Sequence, residues 1–299
     1  MATPGRWHDV PAGDLSFSPQ IHPGSLPVEV LDRGEVLRRL ASHEATSRQR
    51  VDFHQLVVCT DGSGRHEVDF EPIWLHPGSV LRTYPGQVQR LYPESAFDAV
   101  IVIWPVETRV VGAFGGRWYP GSDLPIRWQV DRAGLDRLLG WIDDVRTEQE
   151  RFDRSARHGA LLESLLTTLL LRFEMEIPDA PAAERPFPEA YRELRELMEE
   201  RLRERPAMAA LAAELGYSVR TLDRACHQAV GRTARAVLDD RIALEARRLL
   251  THSDLTVSEI AADLGFSDSS NFARFVKRQL GAGPSVVRGR DAADGQGRR

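Results

Sequence analysis

The chain has 299 residues, enough for two domains that each bury a core, and its 42% hydrophobic and 28% charged content is that of an ordinary globular protein. Its longest strongly apolar run, residues 99–106, is too short to span a membrane, and residues 1–14 lack the features of a signal peptide, so we expect a cytoplasmic protein. The two widely separated cysteines, Cys59 and Cys226, exclude a disulfide framework and a cysteine-rich metal motif.

The formal net charge of −5 is unevenly distributed along the chain. Residues 201–299 contain 17 basic and 12 acidic side chains, a balance of +5, and the preceding two hundred residues contain 22 and 32, a balance of −10. A basic C-terminal part on an acidic body indicates that only the C-terminal part binds a polyanion.

The N-terminal half is predicted to begin with a flexible arm and to continue as a β domain. Residues 1–30 are rich in Pro, Gly and Ser, and 31–45 have the pattern of a short amphipathic helix. Between 50 and 105, β-branched and aromatic segments alternate with the turn sequences DGSG at 61–64, HPG at 76–78 and PG at 85–86. This pattern predicts an antiparallel sandwich or a small barrel.

From about residue 131 the apolar period becomes helical. Residues 132–152 and 157–176 form a predicted helical pair, and the second helix has leucines at three- and four-residue steps from Leu161 to Leu170, followed by Phe173. This stripe either packs on the β domain or forms an interface with a second subunit, since the period alone does not separate the two. The proline-rich segment that follows, IPDAPAAERPFP, is the predicted linker.

The C-terminal third contains one short pattern twice. Residues 211–216 (LAAELG) match 260–265 (IAADLG) at an offset of 49, and the offset becomes 50 after one inserted residue. In each copy, paired alanines allow close helix packing, and a glycine sits where a helix ends in a left-handed conformation. Ser218 and Ser267 are the predicted N-caps of the next helix. Each copy is therefore a predicted helix-turn-helix, whose second helix can enter the DNA major groove.

A long helix is predicted between the two copies, over 233–254. A helix of about twenty residues is roughly 30 Å long, close to the 34 Å of one DNA turn. We therefore expect the two units to contact successive major grooves on one face of the duplex.

Residues 238–250 and 260–288 resemble the linker helix and the signature sequence of the AraC/XylS family of bacterial transcription regulators, and the resemblance extends over 188–290. Phe275 and Val276 are swapped relative to the usual family pattern, and we expect Val276 to fill its core position less fully. The resemblance implies base-reading side chains on the exposed N-terminal half of each second helix. In the first unit these are Val219, Arg220, Asp223 and Arg224, and in the second Ser269, Ser270 and Arg274.

The residue types suit this role, although alternatives remain open. Arg220 or Arg224 can donate to guanine O6 and N7. Asp223 either accepts from cytosine N4 or orients one of these arginines through a salt bridge, and Arg274 either reads a base or pairs with Asp268. The expected phosphate contacts, which add affinity without sequence choice, are Ser218, Arg232, Ser267, Lys277, Arg278 and Arg288.

Residues 50–105 more loosely resemble the cupin-like barrel that precedes the DNA-binding part in many such regulators. His54 stands without a second histidine one residue away, and Gln89 occupies the place of a metal-ligating histidine, so we expect no metal and no other cofactor. The candidates for an effector pocket are His54, His66, Trp74, Arg82, Tyr84, Gln89 and Trp104. Strand alternation places about half of them on the wrong face.

These inferences predict an α+β protein, with a cupin-like β-barrel and a helical pair before an all-α tandem helix-turn-helix domain. The predicted segments are an arm (1–30), a sensor domain (31–130), a helical pair (131–176), a linker (177–188), a DNA-binding domain (189–290) and a disordered tail (291–299). We expect a non-enzymatic, dimeric transcription regulator with a DNA operator, a small-molecule effector and, if it activates, RNA polymerase as partners. The alternatives are a cupin metalloenzyme with a helical appendage and a ligand-independent DNA-binding protein.

Overall fold

The computed structural model describes residues 14–15, 26–39, 48–108, 125–177 and 187–295. The chain divides into two compact units, an N-terminal unit up to Asp179 and a C-terminal unit from Ala180. In the part of the chain so described, no helix has the length and apolarity needed to cross a bilayer.

The N-terminal unit contains strands and a short helix, followed by a pair of long helices. The strands are β1 (Asp14–Leu15), β2 (Glu29–Asp32), β3 (Gln49–Val51), β4 (Phe53–Val68), β5 (Glu71–Leu75), β6 (Ser79–Thr83), β7 (Val88–Leu91), β8 (Ala96–Pro105) and β9 (Arg127–Gln129). The helices are α1 (Arg33–Arg39), α2 (Arg132–Glu150) and α3 (Ala156–Met175). All the strand pairings are antiparallel except that of β1 with β3.

Strand β4 is the centre of the sheet, and its course corrects one sequence expectation. The DGSG segment at 61–64, predicted to be a turn, continues β4 and pairs with β8, with a β-bulge between Cys59 and Asp61. The chain reverses instead at Asp69 and Phe70, whose φ angles of 51° and 72° are those of a tight hairpin turn. The predicted turns at 76–78 and 85–86 are present.

The hydrogen-bonded ladder of the described residues is not closed, so the unit is a cupin-like, sheet-rich domain rather than a continuous barrel. β4 pairs with β6 and β8 over its first half and with β5 and β7 over its second half, so this one strand links two sheets. An inner core lies on one face of β4 and includes Phe53, Val57 and Ile103. A helix-facing core on the other face includes Leu56, Val102 and Trp104.

The helical pair packs on the sheet of its own chain. Leu162, Leu166 and Phe173 of α3 are fully buried in the helix-facing core, and the ring of Phe173 contacts Trp128 edge-on with centroids 6.3 Å apart. Gln149 of α2 accepts a hydrogen bond of 2.6 Å from the backbone N–H of Val30. The stripe also has an outer edge, where Leu161 is 44% exposed. Intramolecular packing therefore explains most of the leucine pattern and leaves that edge in solvent.

The segment assigned to a flexible arm is partly integral to the sheet. Leu26, Val28 and Val30 are buried in the helix-facing core, and residues 29–32 pair with β8 as β2. Sequence inspection missed them because alternating residues of a single edge strand form a weak pattern beside prolines. Residues 1–13 and 16–25 lie outside the described part. The predicted helix at 31–45 begins at Arg33, and residues 40–47 also lie outside it.

The described residues of the C-terminal unit, 187–295, form helices and the turns between them. Its helices are α4 (Glu189–Arg201), α5 (Met208–Glu214), α6 (Val219–Val230), α7 (Ala234–His252), α8 (Val257–Asp263), α9 (Ser269–Leu280) and α10 (Pro284–Gly295). One apolar core joins these helices, and each helix contributes to it, with Leu194, Leu211, Leu222, Ile242, Ile260, Phe272 and Val287 in chain order. Residues 291–295, expected to be a disordered tail, continue α10. Residues 178–186 of the predicted linker and the last four residues lie outside the described part.

Candidate nucleic-acid interface

The turn between α5 and α6 forms as the repeat predicts. Gly216 has a φ of 71°, and the hydrogen bonds from Gly216 N to Ala213 O (3.2 Å) and from Tyr217 N to Ala212 O (2.9 Å) satisfy the last carbonyls of α5. Ser218 then caps α6 by accepting a hydrogen bond of 3.1 Å from the backbone N–H of Thr221.

The second turn has the same form with a different cap. Gly265 has a φ of 70°, and Phe266 N donates to Ala261 O at 2.8 Å. The cap of α9 is Asp268, whose carboxylate accepts from Asn271 N at 2.7 Å, and not Ser267 as expected. Ser267 donates its hydroxyl to the same carboxylate at 3.0 Å. The inserted residue of the second copy is therefore the cap, which explains why the offset between the copies changes from 49 to 50 at this point.

Each second helix is anchored through one face only. α6 buries Leu222, Ala225 and Cys226, and α9 buries Phe272, Phe275 and Val276. Val276 is fully buried at the swapped position. The Phe275 ring packs 5.2 Å from that of Phe266, which accommodates the exchange.

The opposite face of α6 presents three of the four predicted base readers to solvent. Val219, Arg220 and Arg224 are exposed, and within the described residues neither arginine forms a side-chain hydrogen bond or ion pair. Asp223 is half-buried, and its carboxylate accepts from the backbone N–H of Ala234 at 2.9 Å. It forms a link to the start of α7 and not the salt bridge to a neighbouring arginine that the sequence suggested as an alternative.

On α9, Ser270 and Arg274 are exposed and Ser269 is half-buried. The guanidinium of Arg274 donates to the side-chain oxygen of Asn271 at 2.5 Å, and the suggested pair with Asp268 is not formed. Asn271 is thus a member of this surface that sequence reasoning missed. Its position, three residues after the cap and three before an arginine on the same helix face, is the signal that was available.

The predicted phosphate contacts fall into two groups. Ser218, Ser267, Lys277, Arg232 and Arg278 are exposed, although Arg232 pairs with Asp240 at 2.7 Å and Arg278 lies 3.7 Å from Asp239. Arg288, in contrast, is half-buried and donates to the carbonyl oxygen of Leu255 at 2.5 Å. This bond ties α10 to the segment before α8, so the side chain of Arg288 is occupied within the protein.

Helix α7 contains a buried charge ladder that the sequence did not reveal. Arg248, with only 2% of its side chain exposed, donates to Glu245 at 3.0 Å, and Arg241 bridges Glu245 (3.2 Å) and Glu199 of α4 (2.7 Å). Leu238 is fully buried in the core, and its neighbour Val237 is only partly buried. A groove of about 280 Å³ between α4 and α7 has an apolar floor and a rim of internally paired charges.

The predicted effector-pocket residues lie in three separate environments. In the inner core, Gln89 accepts from Gln55 (3.3 Å), contacts the His66 ring through its oxygen (3.1 Å) and donates to Thr83 (3.0 Å). The bulge in β4 changes which alternate residues face inward, and this change brings Gln55 and His66 onto one face. Burial lowers the pKa of His66 to about 4, so its imidazole is neutral at pH 7.

The other predicted pocket residues lie elsewhere. His54 and Trp104 stack on the opposite, helix-facing side with centroids 5.3 Å apart, and burial, followed by the charge of Arg82, lowers the pKa of His54 to about 4. Arg82 donates to Pro125 O and lies over the half-buried Tyr84 ring, and Trp74 is 58% exposed. The described residues contain no cluster of His, Cys, Asp and Glu that could hold a metal ion.

The chain has a sheet-rich domain followed by two helix-turn-helix units, and the second helix of each unit has one buried and one exposed face. This arrangement defines the class of a DNA-binding transcription regulator. Comparison with known proteins agrees. Residues 35–218, more than half of the chain, match the AraC-like ligand binding domain, and 211–290 match a helix-turn-helix domain. The chain belongs to the AraC family of transcription regulators, which are not enzymes.

The chain is similar to several known proteins. The chain is 25% identical over 246 residues to the HTH-type transcriptional activator RhaS of Salmonella schwarzengrund, covering 81% of this chain and 87% of the relative, and 26% identical over 251 residues to RhaS of Escherichia fergusonii, with the same coverage. Among solved structures, ToxT of Vibrio cholerae O395 is 12% identical with a TM-score of 0.43, covering 88% of this chain and 96% of ToxT. The DNA-binding domain of AdpA, solved with a target DNA, is 33% identical over 33% of this chain and 88% of that domain, with a TM-score of 0.31.

Proposed function

We propose that this regulator reads one operator with both of its helix-turn-helix units, α6 and α9 entering successive major grooves. The observation that carries the proposal is the exposed polar face on each of these helices, opposite a fully buried face, with α7 between them. Its 19 residues give α7 a length of about 28 Å, close to the 34 Å of a DNA turn. The basic balance of residues 201–299 favours binding to a polyanion.

Within this proposal the two units contribute different chemistry. Arg220 and Arg224 of α6 each offer a planar set of donors that fits guanine O6 and N7, and Val219 offers an apolar contact to a thymine methyl group. Ser269, Ser270 and Arg274 are the proposed readers of α9. Asp223 remains a proposed base reader, because only one of its carboxylate oxygens accepts from the backbone N–H of Ala234.

Phosphate contacts are proposed for the exposed side chains around these helices, namely Ser218, Ser267, Arg232, Lys277 and Arg278. The ion pair of Arg232 with Asp240 is solvent-exposed and worth little, so its exchange for a phosphate costs little. Arg278 is exposed and lies 3.7 Å from Asp239, which has a second partner in Arg235 at 3.0 Å. Arg288 fits this role less well because it supports the fold through Leu255.

The operator proposal is tested by selecting bound duplexes from random oligonucleotides with the full-length protein. We expect two short motifs about ten base pairs apart for each subunit. In the selected duplex, Arg220→Ala is expected to weaken binding by about 1–3 kcal/mol and to relax one base position. A single motif, or an equal loss of affinity on selected and random DNA, contradicts the proposal.

Control by a small-molecule effector is the second part of the proposal. It is supported by the amide, hydroxyl and imidazole groups of Gln55, Thr83, His66 and Gln89, which bond to one another within an otherwise apolar core. A few convergent polar groups among apolar walls are typical of small-molecule sites. Because these groups are uncharged at pH 7, they suit a neutral ligand with several hydroxyl groups. A thermal-shift screen of such compounds, followed by DNA binding with each hit, tests this. A regulator that does not respond to ligands gives no hit that alters DNA binding.

A homodimer is proposed on the outer edge of α3, where Leu161 is 44% and Met175 is 84% exposed. Apolar side chains of this size gain free energy on burial against a second copy. The relatives named as activators make RNA polymerase the proposed partner if this protein activates. Sedimentation of the wild type and of Leu161→Glu tests the dimer, since the charge is expected to produce monomers.

A further inference from the structure

Asn271 lies at the centre of a hydrogen-bonded array at the start of α9. Its side-chain nitrogen donates to the Asp268 carboxylate at 2.5 Å and to the Ser267 hydroxyl at 2.8 Å, and its side-chain oxygen accepts from the Arg274 guanidinium at 2.5 Å. All four residues lie within the first two turns of α9 or at its cap, on the surface proposed to enter the major groove.

The chemistry of this position requires an amide. One end of the side chain must donate to a carboxylate, and the other must accept from a guanidinium, which no hydroxyl, carboxylate or alkyl group does with the same geometry. The hydrogen bonds to Asp268, the backbone one first, also lower the pKa of that carboxyl, which keeps it ionised as the acceptor. The direction of the amide is therefore determined by its two partners.

The bond to Asn271 restricts the orientation of the Arg274 side chain but leaves most of its N–H donors free. A guanidinium has five N–H donors, and the bond to Asn271 uses one of them, so about four remain for a base. Holding a long side chain in place before binding saves about 0.5–1.5 kcal/mol of ordering cost, equivalent to a factor of about 2–12 in affinity.

The first unit lacks this arrangement. Thr221 holds the position equivalent to Asn271, and its hydroxyl contacts the Ser218 hydroxyl at 2.9 Å. Arg224, the equivalent of Arg274, has no side-chain partner among the described residues. The two units thus differ in how their arginines are held, although their backbones repeat.

We propose that Asn271 is a positioning residue that orients Arg274 for base recognition, so that specificity in the second unit depends on Asn271 and specificity in the first unit does not depend on Thr221. The proposal rests on the proposed function, because it takes Arg274 as a base reader. The nitrogen and the oxygen of the Asn271 side-chain amide both have partners within the protein. The residue therefore acts through Arg274 and does not itself read a base.

The test measures binding of full-length wild type, Asn271→Ala, Arg274→Ala and the double variant to the selected operator and to duplexes with each base pair changed. Arg274→Ala is expected to relax one position about 10- to 100-fold. Asn271→Ala is expected to relax that same position about 2- to 12-fold, to leave affinity for random DNA within about twofold, and to add nothing to the double variant. Asn271→Gln, which keeps the amide, is expected to restore part of the preference.

Thr221→Ala is the matched control and is expected to leave the first motif unchanged. Equal thermal midpoints for Asn271→Ala and wild type establish that the fold is intact, since the backbone N–H that binds the Asp268 cap is retained. Relaxation at a different base pair, no relaxation at all, or an equal effect of Thr221→Ala overturns the positioning role. A wild type that selects no paired motif instead overturns the proposed function.

Discussion

At the residue scale, Asp223 has a structural partner where sequence reasoning suggested DNA or an arginine. Its carboxylate accepts from the first backbone N–H of α7, and Thr233 caps the same helix by accepting from Ala236 N. Helix N-termini leave four N–H groups without intrahelical partners and favour negative charge, so an acidic residue suits this place better than one facing phosphates. The bond joins a proposed recognition helix to the long helix that follows it.

Replacement of Asp223 is therefore expected to cost stability. Asp223→Ala leaves the Ala234 N–H without its acceptor, and we expect the free energy of unfolding to fall by about 1–2 kcal/mol, as measured by urea denaturation followed by circular dichroism. Asp223→Asn keeps an acceptor oxygen and is the control, with a smaller loss. Wild-type stability of Asp223→Ala, combined with relaxed specificity at one base pair, would identify a base reader instead.

His66 gives the N-terminal unit a pH-dependent stability. Its pKa in the folded protein is about 4, below the usual 6.5 of an unfolded chain, so the unfolded state binds more protons between these values. Stability from this group is complete above pH 6.5, falls by up to about 1.4 kcal/mol per pH unit towards pH 4, and does not fall further below that. His54 is expected to act in the same direction.

The comparison of wild type with His66→Gln isolates this contribution. Glutamine is neutral at every pH and can still bind Gln89, so the difference in unfolding free energy between pH 7 and pH 5 is expected to be smaller in the variant. Tryptophan fluorescence reports on the N-terminal unit, because all six tryptophans lie at or before residue 141. An unchanged difference in His66→Gln would show that folding does not lower the pKa of this imidazole.

At the element scale, the two turns share a backbone conformation but differ in surroundings. Gly216 and Gly265 have φ angles of 71° and 70°, which side chains with a Cβ rarely adopt. A Cβ on Gly216 would meet nothing within 4 Å, whereas one on Gly265 would lie 2.7 Å from the carbonyl oxygen of Arg203. The first turn thus needs glycine for its conformation alone, and the second needs it for close approach as well.

The two alanine substitutions are therefore expected to have unequal effects. Gly216→Ala should lose about 1–2 kcal/mol of unfolding free energy through the left-handed conformation, and Gly265→Ala should lose at least about 1 kcal/mol more through the contact with Arg203. Guanidinium denaturation of both variants under one set of conditions measures the difference. Equal losses would contradict the close approach.

At the scale of the whole molecule, the charges and the long helix α7 support binding to two grooves. The basic balance of +5 lies in residues 201–299, and the acidic −10 lies before them. α7 contacts both recognition helices and is joined to α4 by the ladder from Glu199 to Arg248. A rod held on one side in this way keeps a constant distance between the helices it carries.

The spacing between the two motifs is therefore expected to be strict. Inserting five base pairs between the selected motifs rotates one by about half a turn, and we expect affinity to fall to that of a single motif. Inserting ten base pairs returns both motifs to the same face of the duplex but increases the distance between them, so affinity is expected to fall in this case as well. Fluorescence anisotropy of labelled duplexes measures both, and full affinity with either insertion would indicate that the units bind independently.

Several features were predictable because they depend on neighbours in the chain. The two helix-turn-helix units follow from local patterns such as paired alanines, a glycine and a capping residue. The strand conformation of residues 61–64 was not predictable in this way, since the sequence DGSG suits a turn and only pairing with β8 makes it part of β4. The turn at Asp69 and Phe70 has no glycine to mark it.

The candidate site shows the same division. Arg220 and Arg224 are exposed as the helical period predicts, whereas the partners of Asp223 and Arg288 lie 11 and 33 residues away in the chain. The predicted effector residues share one domain but not one face. Alternation is a local rule, and the bulge near Thr60 changes it midway along β4.

The sequence by itself determined the class of this protein, because the helix-turn-helix pattern, with its paired alanines, its glycine turn and its capping residue, occurs twice in it. It also determined the position of the basic end and the exposed arginines of α6. The Asp268 cap and the bond from Arg274 to Asn271 are local contacts between residues three apart on one helix. Only the tertiary structure decided that the leucines of α3 pack on their own sheet and that Gln55 and His66 face one core. Each of these depends on a contact between surfaces that meet only when the chain is folded.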